Sequence, residues 1–167
     1  MTELRVVVAE DHYLVREGIR QTLESVGGIV VVATAGSAPE LEAAVDAHVP
    51  DVLMTDIRMP PDDHSDGIDA ALRVRKRHPE IGIVVLSQFA EATYALDLLR
   101  DGNAGIAYLL KERIGDPEHL AAAVRTVARG DSVIDPTVVV SLVAHNNRLG
   151  SSSLRFLTER EMEVLSK

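Results

Sequence analysis

Cysteine and tryptophan are absent from the 167 residues, and aromatic side chains make up only 3%. Without cysteine there is neither a disulfide framework nor a thiolate metal centre, in keeping with a reducing compartment. The shortage of aromatic rings argues against a base-stacking nucleic-acid surface. Basic residues are the minority, 17 Lys and Arg against 26 Asp and Glu, for a formal charge of −9. Binding DNA needs a basic patch that displaces counterions, so this chain does not wrap a polyanion unaided. Long apolar runs are lacking too. None approaches the roughly 20 residues of a membrane helix. The start, Met1-Thr2-Glu3-Leu4-Arg5, has no basic segment of a signal peptide. Together these absences predict a soluble cytoplasmic protein whose contact with DNA, if it has one, comes from another unit.

What is present is aliphatic. Hydrophobic residues reach 46%, so a core of Val, Leu, Ile and Ala is expected, in one domain of ordinary size plus an appendage. Short Val/Leu/Ile runs at 4–9, 29–34, 52–55, 83–87 and 106–109 alternate with segments of helical period. That pattern reads as a βα unit repeated five times. The runs are almost continuously apolar, as in parallel strands covered by helices on both faces. Val15, Ile19 and Leu23 form one helical stripe, and Leu120, Val124 and Val127 another.

Helix boundaries are well marked. Ser37-Ala38-Pro39-Glu40 has the form of a capping box, Asp116-Pro117 an N-cap with proline in the first turn, and Gly102 and Gly105 end the helix before the last strand. A short helix is predicted after Asp135-Pro136, through Val138, Leu142 and Val143. The segment from Asn146 to Ser153 has linker composition, and Thr158-Glu159-Arg160-Glu161 opens one more helix. The organisation expected is a domain over 1–130, a short helix and linker over 131–156, and the start of a further helical unit over 157–167.

Polar residues cluster where the strands run out. Glu10 and Asp11 follow the first strand, Asp56 ends the third, Ser87 ends the fourth and Lys111 follows the fifth. In open parallel sheets ligands sit outside the carboxyl ends of the strands, where the strand order reverses. Three carboxylates sharing that crevice would repel one another unless a cation neutralised them. A hard divalent ion with few protein ligands points to Mg²⁺ rather than Ca²⁺. Asp56 is the candidate nucleophile for phosphoryl transfer, since a carboxylate is a known phosphoryl acceptor. Ser87 can donate a hydrogen bond to one phosphoryl oxygen and Lys111 can pair with another.

Glu10-Asp11, Asp56 with Met59-Pro60 after it, Ser87 and Tyr108-Leu109-Leu110-Lys111 resemble the receiver domain of two-component response regulators, over about residues 3 to 130. The resemblance implies a flavodoxin-like, doubly wound five-stranded parallel sheet of order 2-1-3-4-5 with a C-terminal helical extension. It implies Asp56 as phosphoacceptor, Glu10, Asp11 and Asp56 as Mg²⁺ ligands, and Arg58 as a ligand through its backbone carbonyl. Ser87 and Tyr108 would form the switch, with Lys111 on the phosphate. The partners implied are a sensor histidine kinase and a second copy in a phosphorylation-dependent homodimer. The stretch Leu157 to Leu165 resembles the first helix of the LuxR-type helix-turn-helix of NarL/FixJ regulators, whose later helices would carry DNA binding and transcriptional control. Two departures stand out. Glu10 is one methylene longer than the aspartate often found there, and the Pro60 to Gly67 loop is longer than usual.

Two other functions compete with this one: a receiver-only phosphorelay protein, and a Mg²⁺-dependent phosphatase working through an aspartyl phosphate. Phosphatases resembling the haloacid dehalogenase family carry a second Asp two residues after the nucleophile, as general acid. Position 58 is Arg, so the proton donor is missing. The expectation is therefore a signalling domain, not an enzyme, beyond its own phosphorylation and dephosphorylation.

Overall fold

In the computed structural model, which describes residues 3–60, 66–88 and 104–148, the aliphatic runs become parallel strands and the periodic segments pack on both faces. The strands are β1 (Leu4–Ala9), β2 (Ile29–Ala35), β3 (Val52–Asp56), β4 (Gly82–Ser87), β5 (Ile106–Leu110) and β6 (Val133–Ile134). The helices are α1 (Tyr13–Ser25), α2 (Ala38–His48), α3 (Asp66–Arg77), α4 (Pro117–Ala128) and α5 (Pro136–Arg148), with a 3-10 turn over Lys111–Gly115. The helix expected between β4 and β5, most of the 60–67 loop and the segment from 149 onward lie outside the described residues.

The strand order is β2-β1-β3-β4-β5-β6, all pairs parallel. The expected order 2-1-3-4-5 is therefore present, with one strand more than the five expected. β6 is two residues long, pairing Val133 with Ala107 and Ile134 with Tyr108, too short to carry a periodicity of its own. The reversal of strand order falls between β1 and β3, which brings the end of β1 beside the end of β3.

Residue alternation sorts the core into two layers, because successive strand side chains point to opposite faces. Val7, Ala9, Leu53, Ile83, Val85 and Tyr108 pack with Leu41 and Val45 of α2 and Val74 of α3. Val6, Val8, Met54, Val84, Leu86 and Leu109 pack with Ile19 and Leu23 of α1 and Leu120, Val124 and Val127 of α4. Both predicted helical stripes thus face the sheet. The helix after Asp135 forms as well, but it buries Val138 and leaves Val143 exposed. It also runs through Asn146 and Asn147 to Arg148, positions whose composition reads as linker.

Caps follow the sequence with one change. Ser37 Oγ accepts from Glu40 N at 3.3 Å, while the Glu40 carboxylate reaches one residue further back, accepting from Gly36 N at 2.7 Å. Asp116 caps α4 through His119 N at 3.2 Å.

Helix α4 sits unusually close to the sheet at Gly82, where a Cβ would lie 2.6 Å from the carbonyl oxygen of Val127. Helix backbone cannot give as a side-chain tip can. Gly82→Ala is expected to lower stability by about 2–3 kcal/mol, read as a reduced urea midpoint with unchanged slope. An unchanged midpoint would show that α4 slides along the sheet at no cost.

Candidate functional site

The carboxyl edge of the sheet gathers the polar strand ends. Glu10 follows β1 and is 1% exposed, Asp56 ends β3 at 8%, and Ser87 ends β4 at 3%. Asp11 is exposed. One carboxylate oxygen from each of Glu10, Asp11 and Asp56 lies within 4.8 Å of the other two. Lys111, immediately after β5, places its ammonium 3.0 Å from Asp56 Oδ2 and 3.0 Å from Glu10 Oε2. Four of the predicted residues thus meet at one point. Ser87 stands at the end of the strand between Asp56 and Lys111, in register with Leu110.

Two hydrogen bonds fix the Asp56 carboxylate: Ile57 N donates to Oδ1 at 2.8 Å and Lys111 Nζ to Oδ2 at 3.0 Å. Glu10 is held less completely. His12 N donates to Oε1 at 3.3 Å, whereas Oε2 is buried with the Lys111 charge nearby but without a hydrogen bond of good geometry. Burial, and after it the charge of Asp56, pushes the Glu10 carboxyl up from 4.5 to about 7, against the pull of Lys111. Burial by itself would lower the Lys111 ammonium, but its pairing with the carboxylates of Asp56 and Glu10 outweighs it and raises it.

This geometry fits a divalent cation. Three converging carboxylates with an unsatisfied buried oxygen among them form an all-oxygen donor set with excess negative charge, suited to a hard ion. Arg58 lies two residues past Asp56, with its side chain exposed.

Tyr108 is fully buried, in the same layer as Val85 and Val138. Its carbonyl accepts from Asp135 N at 2.9 Å, so the residue before α5 is bonded to the strand that precedes Lys111.

Two residues at the site escaped sequence reasoning. Gly67, in the first turn of α3, packs so tightly on the Asp56 backbone that a Cβ would lie within bonding range of Asp56 O. Its N–H donates to Ile57 O at 2.8 Å. Arg16 of α1 donates from Nη1 to Glu10 O at 3.1 Å. A glycine inside a helix, where it is disfavoured, is a signal that could have flagged the first. An arginine on an amphipathic helix carries no such signal.

A doubly wound parallel sheet with an acidic, lysine-bridged carboxyl edge is the arrangement of a signalling receiver. The model of the response regulator receiver domain matches residues 6–125, and the chain belongs to that family. The oxygen regulatory protein NreC of Staphylococcus carnosus is 36% identical over 169 residues, covering 97% of this chain and 75% of the relative. Among solved structures, the signal receiver domain of the putative response regulator NarL from Mycobacterium tuberculosis is 32% identical. It superposes with a TM-score of 0.67 over 78% of this chain and 99% of that one. The RcsB response regulator of Salmonella typhimurium, solved to study conformational dynamism for DNA interaction, is 27% identical. Its TM-score is 0.71, over 86% of this chain and 67% of that one. The resemblance to response regulators of the NarL type therefore holds across fold and sequence. Among the described residues no helix is long and apolar enough to cross a membrane.

Proposed function

We propose that Asp56 accepts a phosphoryl group from a partner histidine kinase and that the modified site controls dimerisation and DNA binding. The observation that carries this reading is the Lys111 ammonium held 3.0 Å from the carboxylates of both Asp56 and Glu10. An Asp56 oxygen attacks phosphorus while the bond to the donor's leaving group breaks, and that group departs with the electron pair. Hydrogen bonds from Ile57 N and Lys111 orient the carboxylate beforehand, which removes part of the entropic barrier. Lys111 then shifts its hydrogen bond from Asp56 to a phosphoryl oxygen, and the Ser87 hydroxyl donates to another. Glu10, Asp11, Asp56 and the Arg58 carbonyl are the residues that would hold Mg²⁺. When bound, the ion neutralises the acids and the incoming phosphoryl charge.

Ser87 moving toward the phosphate changes the packing beside Tyr108, and the Asp135–Tyr108 backbone bond carries that change to β6 and α5. DNA binding is assigned to the unit whose first helix the stretch Leu157 to Leu165 resembles in sequence, in keeping with the DNA interaction named for the similar RcsB. Arg58 where a phosphatase would have its acid supports signalling over turnover of phosphate esters.

The test is intact mass after incubation with Mg²⁺ and acetyl phosphate. Wild type is expected to gain about 80 Da, the mass of one phosphoryl group on one carboxylate, and Asp56→Ala to gain nothing. Equal gain in both proteins would move the acceptor elsewhere, and no gain in either would remove phosphorylation from the reading.

A further inference from the structure

We propose that Arg16 is the positioning residue that holds the Glu10–Asp11 half of the site in its cation-binding geometry, an inference that rests on the reading above. β1 ends at Ala9, but Glu10 N continues the ladder by donating to Ala35 O at 2.9 Å. The N–H and C=O of one strand residue point to the same side, so the Glu10 carbonyl also faces β2. There the chain leaves the ladder at Gly36 and enters α2 at Ala38. Arg16 Nη1 supplies a donor to that carbonyl at 3.1 Å, where the next rung of the ladder would have been.

The surroundings are shaped to the guanidinium. A Cβ on Gly36 would lie 2.8 Å from Arg16 Nη1, so the absence of a side chain at residue 36 leaves the room that the guanidinium fills. The guanidinium also lies over the Tyr13 ring, with Arg16 Cζ 5.6 Å from its centroid, an arrangement that favours a flat cation. Arg16 thereby fixes the oxygen end of the peptide plane between Glu10 and Asp11. Both carboxylates branch from the residues flanking that plane. Glu10 has a second anchor through His12 N, whereas exposed Asp11 takes its direction from the backbone. If the peptide rotates, Asp11 leaves the group that lies within 4.8 Å.

The sign of the effect separates positioning from simple electrostatics. Removing a positive charge near three acids would, by Coulomb's law alone, strengthen cation binding. Loss of positioning weakens it, and outer contacts that orient metal ligands typically contribute a factor of about 10–100 in affinity.

The experiment is calorimetric titration of Mg²⁺ into the whole chain, comparing wild type with Arg16→Met, Arg16→Lys and Gly36→Ala, each with a melt in EDTA to establish folding. Arg16→Met is expected to bind Mg²⁺ about 10–100-fold more weakly. Arg16→Lys should recover part of that loss, since an ammonium can still donate to the carbonyl. Gly36→Ala displaces the guanidinium without altering charge and is expected to weaken binding in the same direction. It carries the test if Arg16→Met does not fold. Wild-type or tighter binding by Arg16→Met, or by Gly36→Ala in its place, overturns the proposal. A wild type that binds no Mg²⁺ overturns the site reading beneath it instead, and this inference falls with it.

Discussion

Gly67→Ala is expected to destabilise the chain by about 3–5 kcal/mol and to cut its phosphorylation by acetyl phosphate steeply. Two effects compete at this position. Alanine is the better helix former, worth about 1 kcal/mol over glycine in a helix interior. Against that, the new methyl would occupy the space of Asp56 O, with Asp56 C and Ile57 O each 2.9 Å away. All three are backbone atoms at the end of a fully buried strand, so no rotamer change relieves the overlap. Helix α3 must then move off the sheet, breaking the bond from Gly67 N to Ile57 O, or the Asp56–Ile57 peptide must turn. The second route also disturbs Ile57 N, which holds Asp56 Oδ1 at 2.8 Å, and so carries the damage into the Asp56 carboxylate. Urea unfolding reads the first effect and intact mass the second. A variant within about 1 kcal/mol of wild type with normal phosphorylation would show that α3 is not seated on the Asp56–Ile57 backbone.

Gly67 also marks the limit of what could be read before folding. Asp56, Glu10 and Lys111 were legible because each is a charged residue directly after an apolar run, and one rule about the carboxyl ends of parallel strands gathers all such residues at one edge. Ser87 came by the same rule. The almost continuously apolar strands pointed to a sheet covered by helices on both faces, and the stripes on α1 and α4 showed which helix faces meet it, since burial of one helix face leaves a period in the sequence. Contacts made by backbone leave none. The bond from Arg16 to Glu10 O and the seat of Gly67 on Asp56 O depend on where main-chain oxygens lie in three dimensions. Glycine and arginine are common enough elsewhere to hide them. β6 was missed because two residues are fewer than any period needs. Val138, Leu142 and Val143 marked the helix after Asp135 as apolar without saying which side faces the core; Val138 is buried in the Tyr108 layer and Val143 is exposed.

The same burial that makes Glu10 a ligand candidate makes it a liability without a cation. Its carboxyl titrates at about 7 in the folded chain against an ordinary 4.5, so the folded state binds the proton more tightly than the unfolded state does. Stability therefore falls as pH rises from about 4.5 to about 7 and is flat beyond, opposite to the usual ion-paired carboxylate. The spacing between those two values corresponds to about 3 kcal/mol as an upper figure, already reduced by the attraction of Lys111. Glu10→Gln keeps the shape of the side chain and removes the charge. In EDTA it is expected to match wild type near pH 4.5 and to exceed it by about 2–3 kcal/mol at pH 8. Saturating Mg²⁺ should reverse the order at pH 8, because a ligand stabilises only the protein that binds it, and the glutamine offers the ion no negative charge. Urea unfolding across that pH range, with and without Mg²⁺, measures both. Parallel pH profiles for the two proteins in EDTA would mean that Glu10 is ionised at no cost in the fold. The unsatisfied oxygen beside Lys111 would then hold no free energy for a cation to release.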